Sequence, residues 1–172
     1  MITTYSIVWG LRHFKLFLPG YTNNMHANTE IIQELFQSYS NEPISSIEKL
    51  PQAVSDRHYF RINTPATSFI ATYGNNVKEN ENFIYFSEQF SRQELATPQV
   101  YFVSNDKHAY IQQDFGNTSL LNKLEEQGFT EEVYQLYKKS LQQLARLQVK
   151  AHEVVDYKRC LTNAEFGKQA IM

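Results

Sequence analysis

Three short runs of aromatic and β-branched residues lie between turn-forming residues in the first half of the chain: 45–54, 57–63 and 67–73. Such runs are typical of β-strands. Two more follow in the second half, on either side of a polar turn: 99–103 and 108–114. The pattern therefore predicts five short strands, of which the last two form a hairpin.

Four stretches carry apolar residues at helical spacing with capping or breaking residues at their ends: 29–40, 77–92, 118–127 and 131–152. In the second stretch Phe83, Phe86 and Phe90 form the apolar stripe. Glu79 lies four residues before Phe83 and shares this stripe. Two interpretations of Glu79 stay open: its carboxylate points into a cleft and meets a basic partner, or it only caps the start of the helix.

The order of elements is helix, three strands, helix, two strands and further helices, which defines an α+β fold. Residues 1–25 form a poorly specified extension, because their apolar positions are interrupted by Arg12, His13 and Lys15. Residues 26–116 form the sheet-containing part, and 117–172 form a helical part. No run of about 18 apolar residues occurs, so a membrane partner is not expected.

Composition narrows the choice of partner and compartment. The formal net charge is -2, which gives no basic surface for nucleic acid. Cys160 is the single cysteine, so no internal disulfide forms, and this agrees with a reducing cytoplasm. The five histidines lie far apart without metal-ligand spacing, so no metal site is predicted. Cys160 itself is interpreted as an ordinary thiol.

Ser55 and Asp56 form a tight turn between the first two predicted strands, 45–54 and 57–63. A tight turn of this kind exposes backbone N–H groups, which can bind a phosphate. Polar hairpin tips are common, however, so these residues alone favour an ordinary hairpin.

Four segments, taken together and in order, resemble a known family: SDRHYFRI at 55–62, SFIATYG at 68–74, YIQQDFGNTSL at 110–120 and LQQLARLQ at 141–148. From about Thr29 onward the chain resembles the N-terminal part of the aminoglycoside phosphotransferase and choline-kinase-like superfamily. Its bacterial sugar-phosphotransferase members are the most similar. The resemblance implies a protein-kinase-like small lobe, which is a five-stranded antiparallel sheet with one inserted helix. The first helices of an incomplete large lobe would follow.

The resemblance also implies roles for particular residues. Ser55, Asp56 and Arg57 would form the loop over the ATP phosphates. The backbone of the hinge would bind adenine, and the hinge residues would be Gln112, Gln113, Asp114 and Phe115. Glu79 would be the acidic residue of the inserted helix.

Two departures from the family pattern limit these expectations. Kinases place a lysine on the third strand to hold phosphates, whereas this chain has Thr72 there, so Arg57 or Lys78 would supply the charge. The aspartate motif of the catalytic loop and the later magnesium ligand do not occur in these 172 residues. The chain therefore resembles a first lobe cut before its active site is complete, and Mg²⁺ is expected only in a full-length protein.

Two functional hypotheses remain. The first is the ATP-binding portion of a phosphotransferase that moves the γ-phosphoryl group to a hydroxyl of a sugar or amino sugar. The second is a non-catalytic nucleotide-binding or regulatory module built on a kinase small lobe. In both, the expected cofactor is ATP, and no catalytic residue is assigned within this chain.

Overall fold

A computed structural model of the chain describes residues 21–51 and 56–161. The fold is α+β, as predicted, with a five-stranded antiparallel sheet and four α-helices. The strands are β1 (Ser46–Lys49), β2 (His58–Asn63), β3 (Ser68–Tyr73), β4 (Val100–Val103) and β5 (Ala109–Gln113). The helices are α1 (Tyr21–Tyr39), α2 (Val77–Arg92), α3 (Leu120–Gln127) and α4 (Glu131–Val154). A 3-10 helix, Tyr157–Arg159, follows α4.

All neighbouring strands of the sheet are antiparallel, and their order is β1-β2-β3-β5-β4. The single helix between β3 and β4 is α2, and β5 pairs with β3 in the middle of the sheet. The five predicted strands are confirmed, although each is shorter than its apolar run. The largest difference is β1, which ends at Lys49: the Leu50 N–H still donates to the carbonyl of Tyr59 at 2.8 Å, but Pro51 has no N–H with which to continue the ladder.

The main hydrophobic core lies between α1 and one face of the sheet. Ile32, Leu35 and Phe36 of α1 are buried against alternate residues of the three central strands: Phe60, Ile62, Phe69, Ala71, Ala109 and Ile111. Alternate strand residues point to the same face of the sheet, so these buried residues form the face that α1 covers. The helix α2 lies on the opposite face. The helix α1 begins at Tyr21, earlier than the predicted cap at Asn28. It therefore extends into the predicted extension, of which 1–20 lie outside the described residues.

The second helix, α2, spans the predicted residues, and Asn76 caps it by accepting a hydrogen bond from the backbone N–H of Glu79. Its buried residues are Asn80 and Ser87, whereas the predicted stripe of phenylalanines is only half-buried. Asn80 Nδ2 donates to the carbonyls of Gly74 and Lys107 at 3.0 and 2.9 Å. Asn80 therefore joins α2 to the turn before it and to the β4–β5 turn.

The last two helices begin and end where the sequence predicts, within two residues. Ser119 and Asn122 form a capping box at the start of α3, and Gly128 ends this helix with a φ of 67°. Thr130 caps α4 by accepting from the backbone N–H of Val133. None of the helices within residues 21–51 and 56–161 is long and apolar enough to cross a membrane.

One side of α4 is apolar and exposed. Tyr134, Tyr137, Leu141 and Leu144 recur at spacings of three and four and are 37–65% exposed. An uncovered apolar face is therefore present on α4. Such a patch marks an interaction surface or an aggregation liability.

We expect the 172-residue chain to self-associate through this face of α4. Replacing both Leu141 and Leu144 with Gln should shift the sedimentation profile toward monomer, because it removes apolar surface that contact between chains would bury. Val149→Gln is the control, since Val149 is 66% exposed but lies on another side of the helix. Monomeric sedimentation of the unaltered chain at high concentration would show that the face does not drive association.

A second expectation concerns Asn80. Asn80→Ala should lower the free energy of unfolding by about 1–3 kcal/mol, because it removes the hydrogen bonds that the buried Asn80 amide donates to the carbonyls of Gly74 and Lys107. Asn41→Ala, at an exposed position after α1, should change it by less than about 0.5 kcal/mol. Urea unfolding of the three proteins measures both values, and equal stabilities would contradict the role given to Asn80.

Candidate functional site

An open cavity of about 420 Å³ lies where β5 ends, on the sheet face opposite α1. It is lined from β1 to the chain after β5 by Leu50, Pro51, Arg61, Ile70, Pro98, Gln112, Gln113, Asp114, Phe115, Gly116 and Asn117. The four residues that the family resemblance assigns to a hinge all line this cavity. Gln112 and Gln113 are the last residues of β5, while Asp114 and Phe115 follow it.

A buried ion pair forms one wall of the cavity. Arg61 of β2 donates from Nε and Nη2 to the two carboxylate oxygens of Asp114, at 2.6 and 3.1 Å. Its Nη1 donates to Oδ1 of Asn117 at 2.6 Å. Because only 10% of the Arg61 side chain and 3% of the Asp114 side chain are exposed, this bidentate pair is shielded from water. Arg61 thereby ties the segment after β5 to β2.

Two more donors complete the environment of Asp114. Ser68 Oγ of β3 and the backbone N–H of Gly116 donate to the carboxylate at 2.7 and 2.8 Å. Burial by itself would raise the pKa of Asp114, but the hydrogen bonds from Arg61, Ser68 and Gly116 outweigh it and lower the pKa. Asp114 is therefore an ionised structural anchor, and its carboxylate is already occupied by donors.

A second ion pair lies at the start of α2. Arg57, directly before β2, places Nη2 3.0 Å from Oε1 of Glu79 and also donates to the Glu79 carbonyl at 3.1 Å. The guanidinium lies 5.5 Å from the ring centre of Phe83. The expectation that Glu79 meets Arg57 is confirmed, while Lys78 is exposed. In the cap of α2 only the backbone N–H of Glu79 takes part, by donating to Asn76, while its carboxylate is paired with Arg57, so the interpretation in which Glu79 only caps the helix is wrong.

The ring of Tyr110 connects α2 to the sheet between these two ion pairs. Phe83 stacks on Tyr110 of β5 with ring centres 5.2 Å apart. Burial raises the pKa of Tyr110 to about 12, so its hydroxyl stays neutral over the physiological range. Tyr110 and Gln112 are two residues apart on β5 and therefore point to the same face of the sheet. The Arg57–Glu79 pair lies near Tyr110 and the Arg61–Asp114 pair lies near Gln112, so both ion pairs lie on this face.

The remaining predicted residues have different positions. Asp56 is exposed next to Arg57, and Ser55 lies outside the described residues. Thr72 is completely buried, opposite Tyr110 in the ladder, and is not among the residues that line the cavity. Within residues 21–51 and 56–161 no group of three His, Cys, Asp or Glu side chains could hold a metal ion.

Sequence reasoning missed Arg61, Ser68 and Asn117 as members of this site. Arg61 lies between Phe60 and Ile62, so it reads as an ordinary outward-facing strand residue. The available signal is that a strand buried on both faces has a lone arginine, which requires an acidic partner. The sequence gives no indication that this partner lies 53 residues further on.

No model of a known protein family matches this chain, and no curated protein is significantly similar to it.

The Arg61–Asp114 pair gives a testable expectation for stability. Asp114→Asn should lower the free energy of unfolding by about 3–5 kcal/mol, because Arg61 is then buried without its counter-charge. The double variant Arg61→Met, Asp114→Leu is the control and should lose less than the single variant, since no unpaired charge remains. Urea unfolding measures both, and a larger loss in the double variant would contradict this account.

The same pair predicts the direction of a pH effect. Folding lowers the pKa of Asp114, so its contribution is complete above the ordinary carboxyl pKa of about 3.9 and is lost as pH falls through the folded value. The stability difference between the unaltered chain and Asp114→Asn should therefore shrink below about pH 4. A difference that stays constant down to pH 2 would contradict it.

Proposed function

We propose that this chain is the ATP-binding portion of a phosphotransferase that moves the γ-phosphoryl group of ATP to a hydroxyl of a small molecule. The main observation in support is that the Arg57–Glu79 pair and the β5 cavity lie on the same face of the sheet. A five-stranded antiparallel sheet with one helix between the third and fourth strands is the architecture of a kinase small lobe. The observed element order agrees with it.

The β5 cavity suits the base of a nucleotide. Leu50, Ile70 and Pro98 give it apolar sides on which a planar ring can pack, and Gln112 adds a polar group at its edge. The Arg61–Asp114 pair fixes the segment after β5, so backbone groups of this segment are held in a constant place beside the ring. Preorganised backbone groups lower the entropy lost when a ligand binds.

The Arg57–Glu79 pair suits the phosphates. A guanidinium held by a carboxylate at the start of β2 can supply the positive charge that a third-strand lysine supplies in kinases. Glu79 fixes the guanidinium, and Phe83 supports it from one side. Arg57 thus supplies the positive charge that the third strand lacks, because Thr72 stands there in place of a lysine.

The sugar or amino sugar as acceptor rests on the family resemblance of the segments quoted above. Transfer also needs a catalytic base and Mg²⁺, which neutralises the developing charge. We therefore expect the 172-residue chain to bind ATP weakly and not to turn it over. Metal-dependent phosphorylation of a sugar by this chain would contradict the proposal that these 172 residues bind ATP without turning it over.

Glu79→Gln tests the phosphate part of the proposal. It should weaken ATP binding about tenfold, because Arg57 loses the charge that positions it, while the thermal unfolding midpoint changes little. Calorimetric titration of ATP into the purified chain measures the affinity.

The matched control is Glu81→Gln. Glu81 lies on the same helix and also forms an ion pair, with Lys107, but this pair is exposed on the surface. Equal losses of ATP affinity in both variants would indicate a general effect of charge on α2. An unaltered chain that binds no ATP at millimolar concentration would overturn the proposed function.

A further inference from the structure

The outer side of α2, away from the sheet, contacts the chain that follows α4. Asn82 and Tyr85 lie three residues apart and share this side, whereas the buried Asn80 and Ser87 lie on the opposite side of the helix. The segment that Asn82 and Tyr85 contact lies within residues 155–160, which we call the strap. The helix α2 is therefore held between the sheet and the strap.

The strap contacts both the hydroxyl and the ring of Tyr85. The backbone N–H of Asp156 donates to the Tyr85 hydroxyl oxygen at 2.9 Å. The guanidinium carbon of Arg159 lies 3.8 Å from the centre of the Tyr85 ring, and a cation above an aromatic ring is attracted to it. Asn82 Nδ2 also donates to the Arg159 carbonyl. One turn of α2 thus makes three polar contacts with the strap.

Local hydrogen bonds give the strap a fixed shape. Its 3-10 helix, Tyr157–Arg159, is capped by the Asp156 carboxylate, which accepts from the backbone N–H of Lys158 at 3.0 Å. The backbone N–H of Arg159 donates to the Asp156 carbonyl at 3.1 Å. Because these bonds hold Asp156 and Arg159 in one arrangement, both residues contact the same ring together.

The strap connects the helical part of the chain back to the sheet-containing part. The chain at 114–119 makes one connection, before α3, and the strap makes another at the far end of α4. Ala151 and Val155, at this end, are only 5% and 8% exposed, and α4 packs on α2. Movement of the end of α4 away from α2 therefore requires the strap contacts to break.

The contacts between the strap and α2 are of a kind that can break without global unfolding. They are two hydrogen bonds and one cation–π contact near the surface, whereas the main core consists of apolar side chains between α1 and the sheet. Regions held by few buried apolar contacts open at a lower free energy than the core. The strap can thus leave α2 while the sheet stays folded.

We propose that the strap is a latch. Closed on Tyr85, as in this structure, it fixes the end of α4 against α2 and keeps the helical part beside the sheet-containing part. Open, it leaves Tyr85 and lets the end of α4 move away from α2. This inference goes beyond the proposed function and does not rest on it, since residues 155–160 do not line the β5 cavity.

The test measures how fast a buried thiol reacts with a maleimide in the full 172-residue chain. Every variant carries Cys160→Ser, so that the reporter cysteine is the single thiol. Ala151→Cys places the reporter at the end of α4, where an open latch makes it accessible, and Ala71→Cys places it in the core under α1. The first reporter follows the latch, whereas the second follows unfolding of the sheet.

Arg159→Ala removes the cation above Tyr85. It should raise the reaction rate of the thiol at position 151 about two- to fivefold, the range expected for one exposed cation–π contact, and leave the thiol at position 71 unchanged. Arg159→Lys keeps a cation within reach of the ring and should restore most of the original rate. Arg146→Ala is the matched control, because it makes the same change at an exposed position of α4 and should leave both rates unchanged.

Tyr85→Phe is the second variant, for the case that Arg159→Ala does not fold. It keeps the ring and removes the oxygen that accepts from Asp156, so the rate at position 151 should rise about two- to tenfold. An equal rise at positions 151 and 71 would show that the strap only stabilises the whole fold. An unchanged rate at position 151 would show that the strap does not hold α4. Either result would overturn the latch and leave the proposed function untouched.

Discussion

The ion pair between Arg61 and Asp114 is the interaction on which the candidate site depends. A bidentate contact between two nearly water-free side chains is strongly favourable only when every donor and acceptor around it is matched. Here Ser68, Asn117 and the backbone of Gly116 complete the match. The pair thereby fixes two strands and the chain after β5 in one arrangement, and the wall of the cavity is a consequence of it.

The elements of the fold could be predicted from local patterns, because each follows from periodicity and from capping residues. The second helix was placed at its observed bounds, since Asn76 and the residues after it carry an unambiguous local pattern. The start of α1 was placed too late because Asn28 is a good cap in isolation. In the structure the helix continues through it. Helix propagation outweighs one favourable cap.

The site could be predicted only in part. Helical spacing placed Glu79 on the apolar side of α2, where a carboxylate needs a basic partner, but it left Arg57 and Lys78 open, and the structure shows that the partner is Arg57. The role of Asp114 was missed, because a sequence shows neither burial nor which strands are neighbours. Asn80 and Ser87 were missed for a related reason: polar residues are expected outside, and their partners are backbone carbonyls that any sequence has.

The bonds made by Asn80 have a consequence for movement of the second helix. Its amide holds carbonyls from both Gly74 and Lys107, and these belong to two different turns. The side chain of Lys107 also reaches Glu81 of the same helix. A rotation of α2 away from the sheet would break these contacts, and the β4–β5 hairpin cannot follow the helix because β5 is hydrogen-bonded along its length to β3. We therefore expect α2 to keep a fixed orientation relative to the sheet.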